Sequence, residues 1–187
     1  MSSTNRGYDR HKADYYITPQ NVIKDLLDAF LGDLQKEYSD HLVLGTLAER
    51  PDKIKWLDPC AGGDSEHEMS YPFVINEAFQ PECLDTMDIR EDSKASEIAD
   101  YLQTDIKHRK YQIIITNPPF YLAKEIIEKA LDDVDEGGVV IMLLRLNFFG
   151  SKERKKFLQE NMPMFAYVHS KRIGFTDDGK TDSIEYM

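Results

Sequence analysis

Apolar residues recur along this chain in two rhythms. Val22, Ile23, Leu26, Leu27 and Phe30 repeat at three- and four-residue spacing, which marks one buried face of a helix. Thr18 and Pro19 stand just ahead of it. Thr18 suits a helix cap and Pro19 the first helical position. Residues 32–52 are polar, with a second helical piece around 42–48. From residue 54 the rhythm shortens. Apolar runs at 54–57, 83–87, 111–116 and 139–144 predict strands, the third and fourth buried on both faces. Residues 71–79, 122–134 and 152–160 read as helices, and 164–169 as a sixth strand. Residues 91–103 fit a helix with a short edge strand, and Asp135-Glu136-Gly137-Gly138 predicts a turn. Alternation of this kind predicts an α/β fold: an open, mostly parallel, Rossmann-like sheet with helices on both faces.

Composition narrows the class. The chain has 187 residues, 41% of them hydrophobic and 30% charged, the profile of one globular domain. Residues 1–14 read as a flexible arm and 15–187 as a single domain. No apolar run is long enough to span a membrane, and the polar start is no signal peptide. Two cysteines, Cys60 and Cys83, suit a reducing cytoplasm. The five histidines are scattered, and no spacing predicts a metal site. The formal charge of −11 argues against gripping phosphates through overall charge. Basic clusters at 107–110, 152–156 and 171–172 read either as solvated faces or as local phosphate contacts.

In an open parallel sheet, ligands bind at the carboxyl ends of the strands. The unusual residues of this chain fall at those ends. Asp58-Pro59-Cys60-Ala61-Gly62-Gly63 follows the first strand. Its glycine pair allows a tight turn and close ligand approach. The carboxylate at its head suits a cationic group better than a phosphate, such as the ammonium and sulfonium of S-adenosyl-L-methionine. Asp88, followed by Ile89, ends the second strand and can accept ribose hydroxyls. Asp105, followed by Ile106, is a candidate for the adenine amino group of the same cofactor. Asn117-Pro118-Pro119-Phe120 ends the third long strand. Its prolines stiffen the chain and hold Asn117 extended. The amide oxygen of Asn117 and the carbonyl of Pro118 could then hold an exocyclic amino group while Phe120 stacks on a planar substrate.

These motifs resemble the S-adenosylmethionine-dependent N6-adenine DNA methyltransferases, particularly compact ones of phage type. The lip Asn117 to Phe120 is similar to their catalytic motif, and Asp58 to Gly63 to their first cofactor motif. Tyr16-Ile17-Thr18-Pro19 resembles the aromatic-Thr-Pro segment that contacts the cofactor's methionine end in that family. The resemblance implies S-adenosyl-L-methionine as cofactor, DNA as partner and adenine N6 as acceptor, with the base flipped out or in a single strand. It adds Tyr16, Thr18 and Pro19 to the cofactor-binding candidates. Methyltransferases of RNA adenine and of protein glutamine share the catalytic motif, and a catalytically silent interaction module could keep the fold. Such enzymes usually end their sheet in a β-hairpin, and residues 181–187 read as the opening of its last strand. That strand is expected to be cut short, or completed by a partner, a second copy or a further segment. No stretch predicts a separate target-recognition domain.

Overall fold

The computed structural model describes residues 16–37, 42–175 and 184–187. The arm at 1–14 and residues 181–183 of the expected last strand lie outside them. Five strands form one parallel sheet: β1 (Lys55–Asp58), β2 (Cys83–Asp88), β3 (Glu97–Ile98), β4 (Tyr111–Thr116) and β5 (Val134–Met142). Their spatial order is β3-β2-β1-β4-β5. The helices are α1 (Gln20–Glu37), α2 (Leu42–Glu49), α3 (Ser70–Phe79), α4 (Ala123–Asp133) and α5 (Lys155–Glu160). This is the open Rossmann-like α/β sheet that the alternation predicts.

Side-chain alternation along the strands builds two cores. Trp56, Ile113 and Ile115 join Ile23, Leu27, Phe30 and Leu34 of α1 and Val74 and Ile75 of α3 in one buried cluster. Leu57, Met87 and Ile114 face the other way, onto Ile126 and Ala130 of α4. Trp56 stacks on Phe79 with ring centroids 5.5 Å apart. The chain runs outward from β1 to β3 and then returns to place β4 on the other side of β1. The order therefore reverses between β1 and β4. Asp58 and Thr116, the last residues of those two strands, flank the crevice that such a reversal opens.

Four expectations need correction. The Asp135-Glu136-Gly137-Gly138 turn is an irregularity inside β5, because pairing with β4 jumps from Tyr111↔Val134 to Ile113↔Val139. Gly137 has φ 73°, and a Cβ on Gly138 would lie 2.8 Å from the Gln112 carbonyl oxygen. Bulge and turn use the same residues for the same reason. Residues 164–169 are no strand. Phe165 and Tyr167 do alternate inward, but α1 claims them: Phe165 meets the Phe30 ring edge-on at 5.9 Å, and the Tyr167 hydroxyl donates to Asp33 at 2.9 Å. Residues 91–103 hold β3 and a 3-10 turn, Tyr101–Gln103, without an α-helix. Helix α5 starts at Lys155 rather than residue 152. Beyond β5, Met187 exchanges backbone hydrogen bonds with Leu144 at 2.8 and 2.9 Å, and Arg145 bridges Tyr186 antiparallel.

Candidate active site

The turn after β1 is tied down by backbone and carboxylate bonds. Gly62 and Gly63 adopt left-handed φ values of 66° and 72°, which a side chain rarely tolerates. A Cβ on Gly63 would also stand 2.7 Å from Met69 Cγ. Ala61 N–H donates to the Met87 carbonyl at 2.9 Å. Gly62 N–H donates to Asp88 Oδ2 and Arg90 N–H to Asp88 Oδ1, both at 2.8 Å. One carboxylate thus clamps the loops after β1 and β2. The Arg90 guanidinium donates to the Gly63 carbonyl, and Ser93 donates to that of Gly62.

Asp58 is the last residue of β1, directly before this turn. Its side chain is fully buried. Oδ1 accepts Cys60 N–H at 3.2 Å, and Oδ2 is buried without a hydrogen-bond partner. Burial pushes the Asp58 carboxyl up to about 7, against the pull of the neighbouring Thr116 hydroxyl and Cys60 N–H, with the Asp88 carboxylate adding a little to the rise. A buried acid in that state is poised to ionise beside an incoming cation. Burial also pushes the Cys60 thiol far up, so it is an inert packing group. The Tyr71 hydroxyl is likewise driven up by burial, with Asp58 nearby.

The lip closes the other side. Thr18 is buried, and its hydroxyl accepts from Asn117 Nδ2 at 3.1 Å. Thr18 therefore positions the lip, a role different from the expected cap of α1. With its NH2 committed, Asn117 presents its oxygen, which is buried and has no partner. The Pro119 carbonyl accepts Leu122 N–H at 2.9 Å. No backbone donor reaches the Pro118 carbonyl among the described residues. Pro118 itself is buried.

Between these walls lies a cavity of about 220 Å³. It is lined by Tyr16, Thr18, Pro59, Cys60, Ala61, Asp88, Ile89, Asn117 and Pro119 among the expected residues. Ile89 is 61% exposed at its rim. Pro19, Asp58, Gly62, Gly63 and Pro118 are not among its lining residues. Asp105 and Ile106 are also outside it. Asp105 is exposed and accepts Lys107 N–H at 3.3 Å, and Ile106 is fully buried in the core beneath α4. The acid in the cavity wall is Asp100, with Tyr101 and Leu102. Asp100 caps the 3-10 turn by accepting Leu102 N–H at 3.0 Å, and a cap is a readable sequence signal. Tyr71, Arg90 and Tyr121 also line the cavity.

Phe120 is outside the cavity lining. It packs beside Tyr186 and Tyr16, at centroid distances of 5.7 and 6.3 Å, and the Arg145 guanidinium lies 4.5 Å from its ring centre. The exposed aromatic at the cavity is Tyr121, 68% accessible.

No protein-family model and no curated protein matches this sequence. Among solved structures, DesVI of Streptomyces venezuelae is similar at a TM-score of 0.38 and 13% identity, over 69% of this chain. The match spans 58% of that protein's own chain. A likeness so loose says nothing about chemistry.

Proposed function

We propose that this protein transfers a methyl group from S-adenosyl-L-methionine to the exocyclic N6 of adenine in DNA. One observation carries the reading of an amino acceptor: Asn117, a residue of the cavity lining, donates from its NH2 to Thr18 and keeps a buried oxygen without a partner. An acceptor amino group needs hydrogen-bond acceptors that leave its nitrogen lone pair free. Asn117 Oδ1 and the Pro118 carbonyl supply two. The choice of adenine in DNA rests on the resemblance of the lip, the glycine turn and the Tyr16–Pro19 segment to that family.

The cavity suits the cofactor. Asp58 lies outside the lining but next to Pro59 and Cys60, which are in it, and its partnerless Oδ2 offers a negative charge to a cationic group seated there. Asp88 keeps lone pairs for ribose hydroxyls after accepting its two backbone bonds. Asp100 takes the place expected of Asp105 for the adenine end. When bound, the cofactor supplies an electrophilic methyl group on a sulfonium. The protein's part is orientation and charge placement. Tyr121 offers the exposed ring for a base, while Phe120 backs the lip.

Methyl-labelled cofactor should label adenine-containing DNA with wild-type protein. Asn117→Ala should lower the rate by about 10²–10³-fold. Equal incorporation by the two proteins sinks the lip assignment. Label confined to RNA or to protein glutamine moves the acceptor to those classes. A second reading, a catalytically silent interaction module, is favoured by the cover over Phe120, and it requires zero incorporation from wild type.

A further inference from the structure

The chain's cations are unevenly employed. Arg50, Arg90, Arg109, Lys94, Lys107 and Lys110 each lie on a carboxylate within 3.0 Å. Downstream of the lip the pattern changes. Residues 145–172 hold seven lysines and arginines against two glutamates, in a chain of net −11. Lys152, Lys155 and Lys171 are exposed. Arg172 comes only within 3.8 Å of Glu185. Arg154 is spent on the Phe148 carbonyl and ring, which fixes the turn at Leu146–Gly150.

Arg145 stands apart. Of the described arginines it alone has neither a carboxylate nor a carbonyl for its side chain. Its Nε is buried without a partner while its guanidinium lies over Phe120. A partly buried cation in that state gains from an anion. A guanidinium stacked by its face keeps its edge donors for two oxygens of one phosphate.

We propose that residues 145–172 are the surface that holds the phosphates of the acceptor DNA strand, with Arg145 as the anchor beside the lip. This rests on the methyl-transfer reading for its choice of DNA and assigns that reading a binding face. The acidic remainder of the chain repels the same strand, so the charge asymmetry orients DNA across the lip. Arg145 is a positioning residue: it fixes the backbone next to the base that Asn117 receives.

The experiment is a salt titration of binding, by fluorescence anisotropy, of an adenine-containing single-stranded oligodeoxynucleotide to the whole chain. Arg145→Gln should weaken binding about tenfold and flatten the log–log salt slope by about 0.7, one phosphate of a single strand. Arg145→Lys should keep the slope and lose less affinity. Lys152→Gln with Lys155→Gln, a surface pair remote from the core, should flatten the slope again. Wild-type slopes in all these variants, or no binding by wild type, overturn the assignment. Tighter binding of the matching ribo-oligonucleotide overturns the choice of DNA. Binding needs no turnover, so the two readings fail separately. Flattened slopes without methyl incorporation sink the activity and leave the surface standing. Incorporation with unchanged slopes does the reverse.

Discussion

The two walls of the cavity are held by different physics. On the glycine-turn side, a network of polar bonds ties two loops together: Asp88 accepts from Gly62 and Arg90, Ala61 from the first loop donates to Met87, and Arg90 and Ser93 reach the glycine carbonyls. On the lip side the backbone is stiffened by two prolines and backed by aromatic packing. There a single side-chain bond, Asn117 to Thr18, aims the amide. A dense hydrogen-bond network fixes a shape. A sparse one leaves an acceptor bare for a substrate. Arg90 Nη1 and the Tyr101 hydroxyl are exceptions on the first wall, and Asp58 Oδ2 is the acidic exception.

Breaking that exception should have the largest effect. Asp58 has its folded pKa raised to about 7, above the ordinary carboxylate value near 3.8. The unfolded chain therefore ionises first, and the ligand-free protein loses stability as pH rises from about 4 to 7. Asp58→Asn removes that loss. It should stabilise the ligand-free protein at pH 8 by roughly 2–4 kcal/mol, and not at all below pH 4. Paired thermal melts across pH measure the difference, and a gap that does not grow with pH refutes the assignment. The same variant should bind the cofactor more weakly.

Asp88→Ala attacks the engaged wall. It strands two N–H donors, Gly62 and Arg90, in a buried site, and should cost about 2–3 kcal/mol. Urea unfolding reports it, and a change within experimental scatter would show that the clamp is dispensable. Thr18→Val is the mildest. Stability should move by about 1 kcal/mol or less. The methyl-transfer rate should fall about tenfold as Asn117 loses its aim, with KM for the cofactor changing little. If KM rises and kcat holds, Thr18 belongs to the cofactor wall instead.

The sheet was legible because β-branched and aromatic runs are hard to read otherwise. Tyr111 to Thr116 is buried almost throughout, as a doubly covered strand must be. The β5 glycines misled because a bulge and a turn both want a left-handed residue, and only pairing with β4 separates them. Residues 164–169 show a true alternation that answers to α1 rather than to a ladder. At the site, the glycine turn, Asp88 and the lip residue Asn117 could be placed from their positions after strands. Asp105 against Asp100 could not, since five residues of spacing decide it and a 3-10 turn sets the spacing. Phe120 escaped because its neighbours Tyr186 and Arg145 arrive late in sequence.

The bond between Thr18 and Asn117 joins residues 99 positions apart. A contact of that span is slow to close, since loop entropy must be overcome before it is rewarded. On the ribosome, Thr18 emerges long before Asn117 is made. The glycine turn and its Asp88 clamp can assemble while the lip is still inside the exit tunnel. The lip is therefore the last part of the cavity to be aimed, and a nascent chain can build the glycine turn first.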